Sequence, residues 1–146
     1  MPYLISPPDP VPIIGRASVI DGDTLEIRSQ RIRLWGVDAP EGRQTCERGG
    51  QTYRCGREAA NALDGMIAGR PVTCAPRGRP DRYRRIVAVC SVGGRDIGAW
   101  MVEQGKALDF PSYSRRAYAR QQASASAARR GVWAGAFQMP WEWRGR

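Results

Sequence analysis

The sequence contains no histidine. That absence excludes a Ser-His-Asp triad, a Cys-His nucleophile pair, a histidine general base and a histidine-ligated zinc ion. Lysine is nearly missing as well: Lys106 stands alone, so almost all positive charge is arginine. No apolar run reaches the roughly 18 residues a membrane-crossing helix needs,. No Cys-x-x-Cys pair occurs, which argues against a zinc ribbon or a thioredoxin-type redox site,. Hydrolytic chemistry in this chain must therefore use carboxylates, arginines and a cation bound through oxygen.

With 146 residues, the chain has the length of one domain and enough material for a core,. Lys and Arg number 23 against 14 Asp and Glu, a net charge of +9. Arginine offers a planar fork that matches phosphate oxygens, whereas lysine is a point charge. The charge points to a polyanionic partner, with nucleic acid the commonest. A solvated surface written in arginine is the plain alternative.

The four cysteines, Cys46, Cys55, Cys74 and Cys90, allow three pairings,. The favoured pairing is Cys46–Cys55, closing the Gly-rich stretch 47–54, with Cys74–Cys90 joining two strands. Two disulfides imply an oxidising compartment; four buried free thiols in a cytosolic protein are the alternative. Residues 1–6 have neither the basic start nor the apolar stretch of a signal peptide,. The disulfide reading therefore carries the expectation of a periplasmic or secreted protein whose export signal has been removed.

Five of the eleven prolines fall within residues 2–12, an extended lead,. The body is expected to run from residue 13 to 146 as a single domain with a Trp-rich C-terminal extension. Short β-branched runs predict strands at 17–20 and 24–28 around an Asp-Gly-Asp turn. Ser29-Gln30 reads as a turn into a strand at 31–35, with Arg31, Arg33 and Trp35 on one side and Ile32 and Leu34 on the other. A helix is expected over 57–68, with Ala59, Leu63, Met66 and Ile67 at helical spacing. Strands follow at 72–75 and 86–90, flanking a basic loop, Pro76 to Arg84. Asp96 is expected to cap a second helix with Ile97, Trp100, Met101, Gln104 and Leu108 on one stripe, and Ser114 a third ending at Gly131. Strands, an inserted helix, more strands and then helices make an α+β plan. A small five-stranded barrel with about three packed helices suits it.

The chemistry concentrates in Asp21-Gly22-Asp23-Thr24 and Arg33-Leu34-Trp35-Gly36-Val37-Asp38-Ala39-Pro40-Glu41, with Arg85 in Asp81-Arg82-Tyr83-Arg84-Arg85. Asp-Gly-Asp alone is an ordinary turn, and Asp38 before Ala-Pro alone marks a chain bend. Four carboxylates and Arg33 in one short window are harder to dismiss. Carboxylate oxygens hold a hard cation, and arginine forks grip a phosphodiester.

These residues resemble the staphylococcal-nuclease-like (thermonuclease) family, from about Ile13 to Trp133. The resemblance implies an OB-fold barrel. It implies a metal held by Asp23, Asp38 and the backbone carbonyl of Ala39, which stands where the family often has threonine, with Asp21 acting through water. The implied metal is Ca2+, with Mg2+ and Mn2+ left open. Glu41 matches the candidate general base that takes a proton from the attacking water. Arg33 and Arg85 match two arginines that neutralise charge on the phosphate. Arg82, Tyr83 and Tyr113 are further substrate-binding candidates, although Pro111 interrupts the local match near Phe110 and Tyr113.

The function implied is a metal-dependent nuclease acting on DNA and RNA with little sequence preference and leaving 3′-phosphate ends. The alternative is a noncatalytic OB-type domain that binds nucleic acid through charge and stacking. A third possibility, a binder of acidic polysaccharide, leaves the carboxylates unexplained. Solubility and size suit a monomer.

Overall fold

Two residues, Arg16 and Ala17, separate the first strand, β1 (Ile13–Gly15), from the second, β2 (Ser18–Asp21). The computed structural model describes residues 10–145, so most of the proline-rich lead expected at 1–12 lies outside the described residues. After β2 the chain forms β3 (Thr24–Ile27), β4 (Gln30–Leu34), β5 (Val37–Asp38), β6 (Cys46–Arg48) and β7 (Gln51–Tyr53). Helix α1 (Cys55–Ile67) precedes β8 (Val72–Pro76), β9 (Ile86–Val92) and β10 (Arg95–Asp96). Then come α2 (Ile97–Glu103), β11 (Leu108–Asp109), α3 (Pro111–Ser114), α4 (Ala119–Ala127), a 3-10 turn (Gly131–Ala134) and α5 (Pro140–Arg144).

In the main sheet the bonded order is β1-β8-β9-β4-β3-β2, with β10 added to β9. β1 and β2 thus stand at opposite ends of the path, yet the link between them spans only about 10 Å at full extension. The sheet has to curl until its ends approach one another. Arg28 bridges the gap by donating to the Ile14 carbonyl at 2.8 Å. The result is a half-barrel with helices against it, an α+β architecture of the OB type. The five strands expected from the sequence are β2, β3, β4, β8 and β9; β1 and β10 extend them.

The core follows from the alternation. Ile32 and Leu34 are buried while Arg31 is exposed. Leu25, Ile27, Ile32 and Leu34 meet Ala59, Leu63 and Ile67 of α1 and Ile97 and Met101 of α2 in one cluster. Cys74 and Cys90 sit directly opposite each other on β8 and β9 and are joined by a disulfide. Cys46 and Cys55 form the second disulfide and seed a smaller cluster with Leu108 and Val132, flanked by Trp133, Phe137, Met139 and Trp141.

Several local expectations need correction. The β3–β4 turn is Arg28-Ser29, one residue earlier than expected, and both residues have positive φ (48° and 66°). That is the backbone a tight two-residue hairpin demands. The stretch between Cys46 and Cys55 is a hairpin, β6–β7, rather than a plain loop. Asp96 caps α2 as expected, accepting the Ala99 N–H at 3.1 Å, but α2 stops at Glu103 and Leu108 belongs to β11.

Ser114 does not cap a long helix. It ends α3, and its hydroxyl donates to Asp109 at 2.5 Å. Arg115 and Arg116 have φ of 52° and 67°, which stops helical propagation, so α4 starts only at Ala119,. The three expected helices correspond to α1, α2 and α4, and the short α3 and α5 were not foreseen.

Candidate active site

The β2–β3 turn brings Asp21 and Asp23 beside the end of β4, which carries Arg33, and beside β5, which carries Asp38. The turn is tight because the Asp23 N–H donates to Asp21 Oδ1 at 3.1 Å. Its central Gly22 is needed for packing: a Cβ there would lie 2.7 Å from the Ala59 Cβ and 2.8 Å from the Ala39 Cβ. Helix α1 and the Ala39 segment therefore close directly on the acidic turn. β5 is held in place by antiparallel pairing with β11, Asp38 opposite Leu108.

Arg33 lies between the two buried aspartates. Its Nη1 is 3.3 Å from Asp23 Oδ2 and its Nη2 is 3.3 Å from Asp38 Oδ1. Nη1 also donates to the Val37 carbonyl at 2.8 Å, which fixes the plane of the fork. Burial would raise the Asp23 carboxyl, but the Arg33 charge, Asp21, the Ala39 N–H at 2.9 Å and the Thr24 hydroxyl hold it below the usual carboxylate range,. The other two aspartates go the other way. Burial, reinforced by the charge of Asp23, pushes Asp21 up to about 7. Burial also raises Asp38, which has no exposed surface, despite hydrogen bonds from Arg144 and the charge of Arg33. Burial thus works against the charged forms of Asp21 and Asp38, while Arg33 and Arg144 supply the opposing positive charge at Asp38. Carboxylate and carbonyl oxygens are the hard donors that a divalent cation of the calcium or magnesium kind takes.

Glu41 follows Pro40 in the loop after β5. Its N–H donates to Gln44 Oε1 at 3.1 Å and its carbonyl accepts the Gln44 N–H at 2.8 Å. Gln44 is wholly buried and donates onward to the Gln138 carbonyl at 2.9 Å. Gly56, at the start of α1, allows the Glu41 carbonyl to approach, since a Cβ there would overlap it.

Arg85 enters from the loop before β9. Asp81 accepts both its backbone N–H at 2.9 Å and its Nε–H at 2.7 Å. Nη1 reaches the Thr24 hydroxyl at 3.5 Å, so Arg85 stands next to the turn that holds Asp23. Of the five guanidinium donors, Asp81 takes Nε and Thr24 at most one at Nη1. Both Nη groups keep donors for a ligand.

Asp21, Asp23, Arg33, Glu41, Arg85 and Tyr113 line one cleft of about 1240 Å³. Asp38 does not line the cleft; it is wholly buried against Arg33, which does. Arg31, Arg77, Arg79 and Arg82 add positive charge along the walls. Tyr83 and Tyr113 are well exposed there, at 63% and 68%. Arg82 and Arg85 stand 4.9 and 5.3 Å from the Tyr83 ring. Pro111 does not break the wall: it occupies the first turn of α3, which carries Tyr113 to the cleft beside Phe110, with ring centroids 4.8 Å apart. All the residues singled out in the sequence for catalysis or substrate contact are thus brought together.

Four features escaped sequence reasoning. Arg144 of α5 donates from Nη1 and Nη2 to Asp38 at 2.9 and 2.7 Å, and from Nη1 to Glu41 at 2.6 Å. Trp141 stacks on Phe110 at 5.1 Å with 9° between planes. Arg77 lies over the Trp35 ring at 3.8 Å. Gln44 ties the Glu41 loop to the segment before α5. No local signal announces Arg144, one arginine among many and more than a hundred residues from its partners; the chain of tryptophans before it was visible but had no assigned position.

The chain is similar in sequence to several known proteins. The sequence profile of the staphylococcal nuclease homologue family matches residues 31–135. The chain is 46% identical over 125 residues to the succinoglycan biosynthesis protein ExoI of Rhizobium meliloti (strain 1021), covering 84% of this chain and 65% of that protein. It is 36% identical over 125 residues to the probable staphylococcal-like nuclease CAN4 of Oryza sativa subsp. japonica, covering 84% of this chain but 23% of that protein. It is 33% identical over 141 residues to an uncharacterized endonuclease of Escherichia coli, covering 88% of this chain and 82% of that protein. The chain spans less than two thirds of the Rhizobium and rice proteins. It belongs to the staphylococcal nuclease homologue family.

Proposed function

We propose that this member of the staphylococcal nuclease family is a metal-dependent phosphodiesterase that hydrolyses DNA and RNA with little sequence preference. The observation that carries the reading is the meeting of Asp23, Arg33, Glu41 and Arg85 at one basic cleft, with Asp38 buried against Arg33. A noncatalytic binding barrel needs the arginines and the exposed tyrosines, but not carboxylates buried at a cost beneath them.

Asp23, Asp38 and the Ala39 carbonyl are the residues that would hold the metal, Ca2+ by preference, with Asp21 reaching it through water. When bound, the cation supplies positive charge to a phosphate oxygen and to the attacking water. Glu41 accepts the proton of that water, and its loop is held for the task by Gln44. Arg85 spreads its Nη donors over the phosphate oxygens as charge develops on them, and Arg33 adds its positive charge from its place between the aspartates. Asp81 holds Arg85 in orientation without touching the substrate. Arg82, Tyr83 and Tyr113 hold the flanking nucleotides through charge and stacking. Cleavage on the 5′-oxygen side leaves 3′-phosphate ends.

The two disulfides support an oxidising compartment, so we place the protein in the periplasm or outside the cell,. The test is product chemistry: fragments from a calcium digest should resist polymerase extension until a phosphatase has removed their 3′-phosphates. Fragments that extend directly would overturn the assigned polarity of cleavage. Tight DNA binding without any fragments would favour the noncatalytic binding domain.

A further inference from the structure

The geometry points to Arg144 as a tethered cation that occupies the metal site and that a divalent ion must displace, so that the segment from Val132 to Arg144 sets the metal affinity of the enzyme. The inference rests on the nuclease reading of the site and adds its regulation.

Three observations carry it. First, Arg144 leaves no carboxylate oxygen of Asp38 unused: Nη1 takes Oδ1 at 2.9 Å, Nη2 takes Oδ2 at 2.7 Å, and Arg33 Nη2 is also 3.3 Å from Oδ1. A calcium ion ligates oxygen at about 2.3–2.6 Å, so it requires an oxygen that the guanidinium holds. A divalent ion brought to this carboxylate beside both guanidinium groups meets their positive charge at close range, and moving Arg144 away relieves the larger part of that repulsion,. Second, the same guanidinium takes Glu41 Oε1 at 2.6 Å, the carboxylate assigned to the attacking water. One side chain thus engages a metal ligand and the general base together. Third, the contact is not the chance fall of a surface arginine. The preceding segment is fastened at successive points: the Val132 N–H donates to the Gly105 carbonyl at 3.0 Å, the Glu47 N–H to the Ala136 carbonyl at 2.8 Å, and Gln44 Nε2 to the Gln138 carbonyl at 2.9 Å. Trp141 then stacks on Phe110, one turn of α5 before Arg144. Tethering of this kind gives the guanidinium a high effective concentration at the site. These anchors beyond Gly135 and Arg144 itself lie past residue 135, where the family match ends.

With the latch open only part of the time, the apparent metal affinity falls by the open fraction. A site closed about nine-tenths of the time binds about tenfold more weakly than the same site without the arginine. Nucleic acid favours the open form, because its phosphates offer Arg144 another anionic partner beside the cleft.

Calorimetric titration of Ca2+ into the full chain, without nucleic acid, tests this directly. Arg144→Gln should tighten Ca2+ binding about tenfold, Arg144→Lys by less, and Trp141→Ala, which loosens α5 while keeping the arginine, should also tighten it. Thermal melting separates a latch from a simple structural contact. Without metal, Arg144→Gln should melt below wild type, since Asp38 loses one of its two arginine partners; at saturating Ca2+ the gap should close. Unchanged Ca2+ affinity in Arg144→Gln, or an equal melting deficit with and without Ca2+, would overturn the latch while leaving the nuclease reading intact. Absence of Ca2+ binding in wild type and Arg144→Gln alike would overturn both.

Discussion

Asp81 grips Arg85 at two points, taking its Nε–H at 2.7 Å and its backbone N–H at 2.9 Å. The carboxylate thereby fixes the plane of a guanidinium whose Nη groups face the cleft. Replacing Arg85 by Lys should lower kcat about a hundredfold or more, because a point charge cannot hold two phosphate oxygens in one plane. Asp81→Asn should lower kcat about tenfold through misorientation, with a smaller change in KM. Steady-state kinetics on a defined oligonucleotide checks both, and wild-type kcat in Arg85→Lys would remove the bidentate role.

The same contact predicts a pH effect on stability. Burial would raise the Asp81 carboxyl, but the N–H groups of Arg85 and Tyr83 and the Arg85 charge outweigh it and hold it low. A carboxyl held low in the folded state stabilises it above the unfolded value, about 3.9, and that stability is lost as pH falls through the folded value. Denaturant midpoints measured from about pH 6 down to about 2.5 should fall less steeply in Asp81→Asn than in wild type. The difference should be modest, since the pair is partly exposed and screened.

Gly22 makes a packing prediction. A Cβ at this position meets the Cβ atoms of Ala39 and Ala59 at 2.8 and 2.7 Å, and neither can rotate away. Gly22→Ala should cost about 1–3 kcal/mol of stability and displace the acidic turn, weakening Ca2+ binding as well. Gly42, where a Cβ meets nothing within 4 Å, is the control, and Gly42→Ala should leave stability and binding near wild type.

The disulfides are checked by mass. Intact mass should rise on reduction by two hydrogens for each of Cys46–Cys55 and Cys74–Cys90. Removing the first bridge with a Cys46→Ala, Cys55→Ala double substitution should loosen β6–β7 and the cluster beneath Trp133, Phe137 and Trp141. That substitution should therefore lower the melting temperature, and an unchanged melt would show that the bridge does not hold this cluster together.

The sequence made the strands readable because their alternation is strict: Ile32 and Leu34 face the core and Arg31 faces water. The catalytic candidates were readable because they cluster within short windows whose residue types serve one chemistry. The misreadings share a physical cause. β5 and β11 are two residues each and exist only because they pair with one another. The division of the last long helix turns on left-handed backbone at Arg115 and Arg116, residue types with no preference for it. Arg144 and Gln44 matter through contacts about a hundred residues apart, which composition and periodicity do not register.

The most direct measurement is cleavage of plasmid and single-stranded DNA by the full chain with Ca2+, with excess chelator, and by Glu41→Gln with Ca2+. Both substrates should be degraded with Ca2+, untouched in chelator, and cut more slowly by about two orders of magnitude or more in the variant. Undiminished cleavage in excess chelator, or wild-type rates in Glu41→Gln, would contradict an active site built from oxygen-bound metal, a carboxylate base and two arginines.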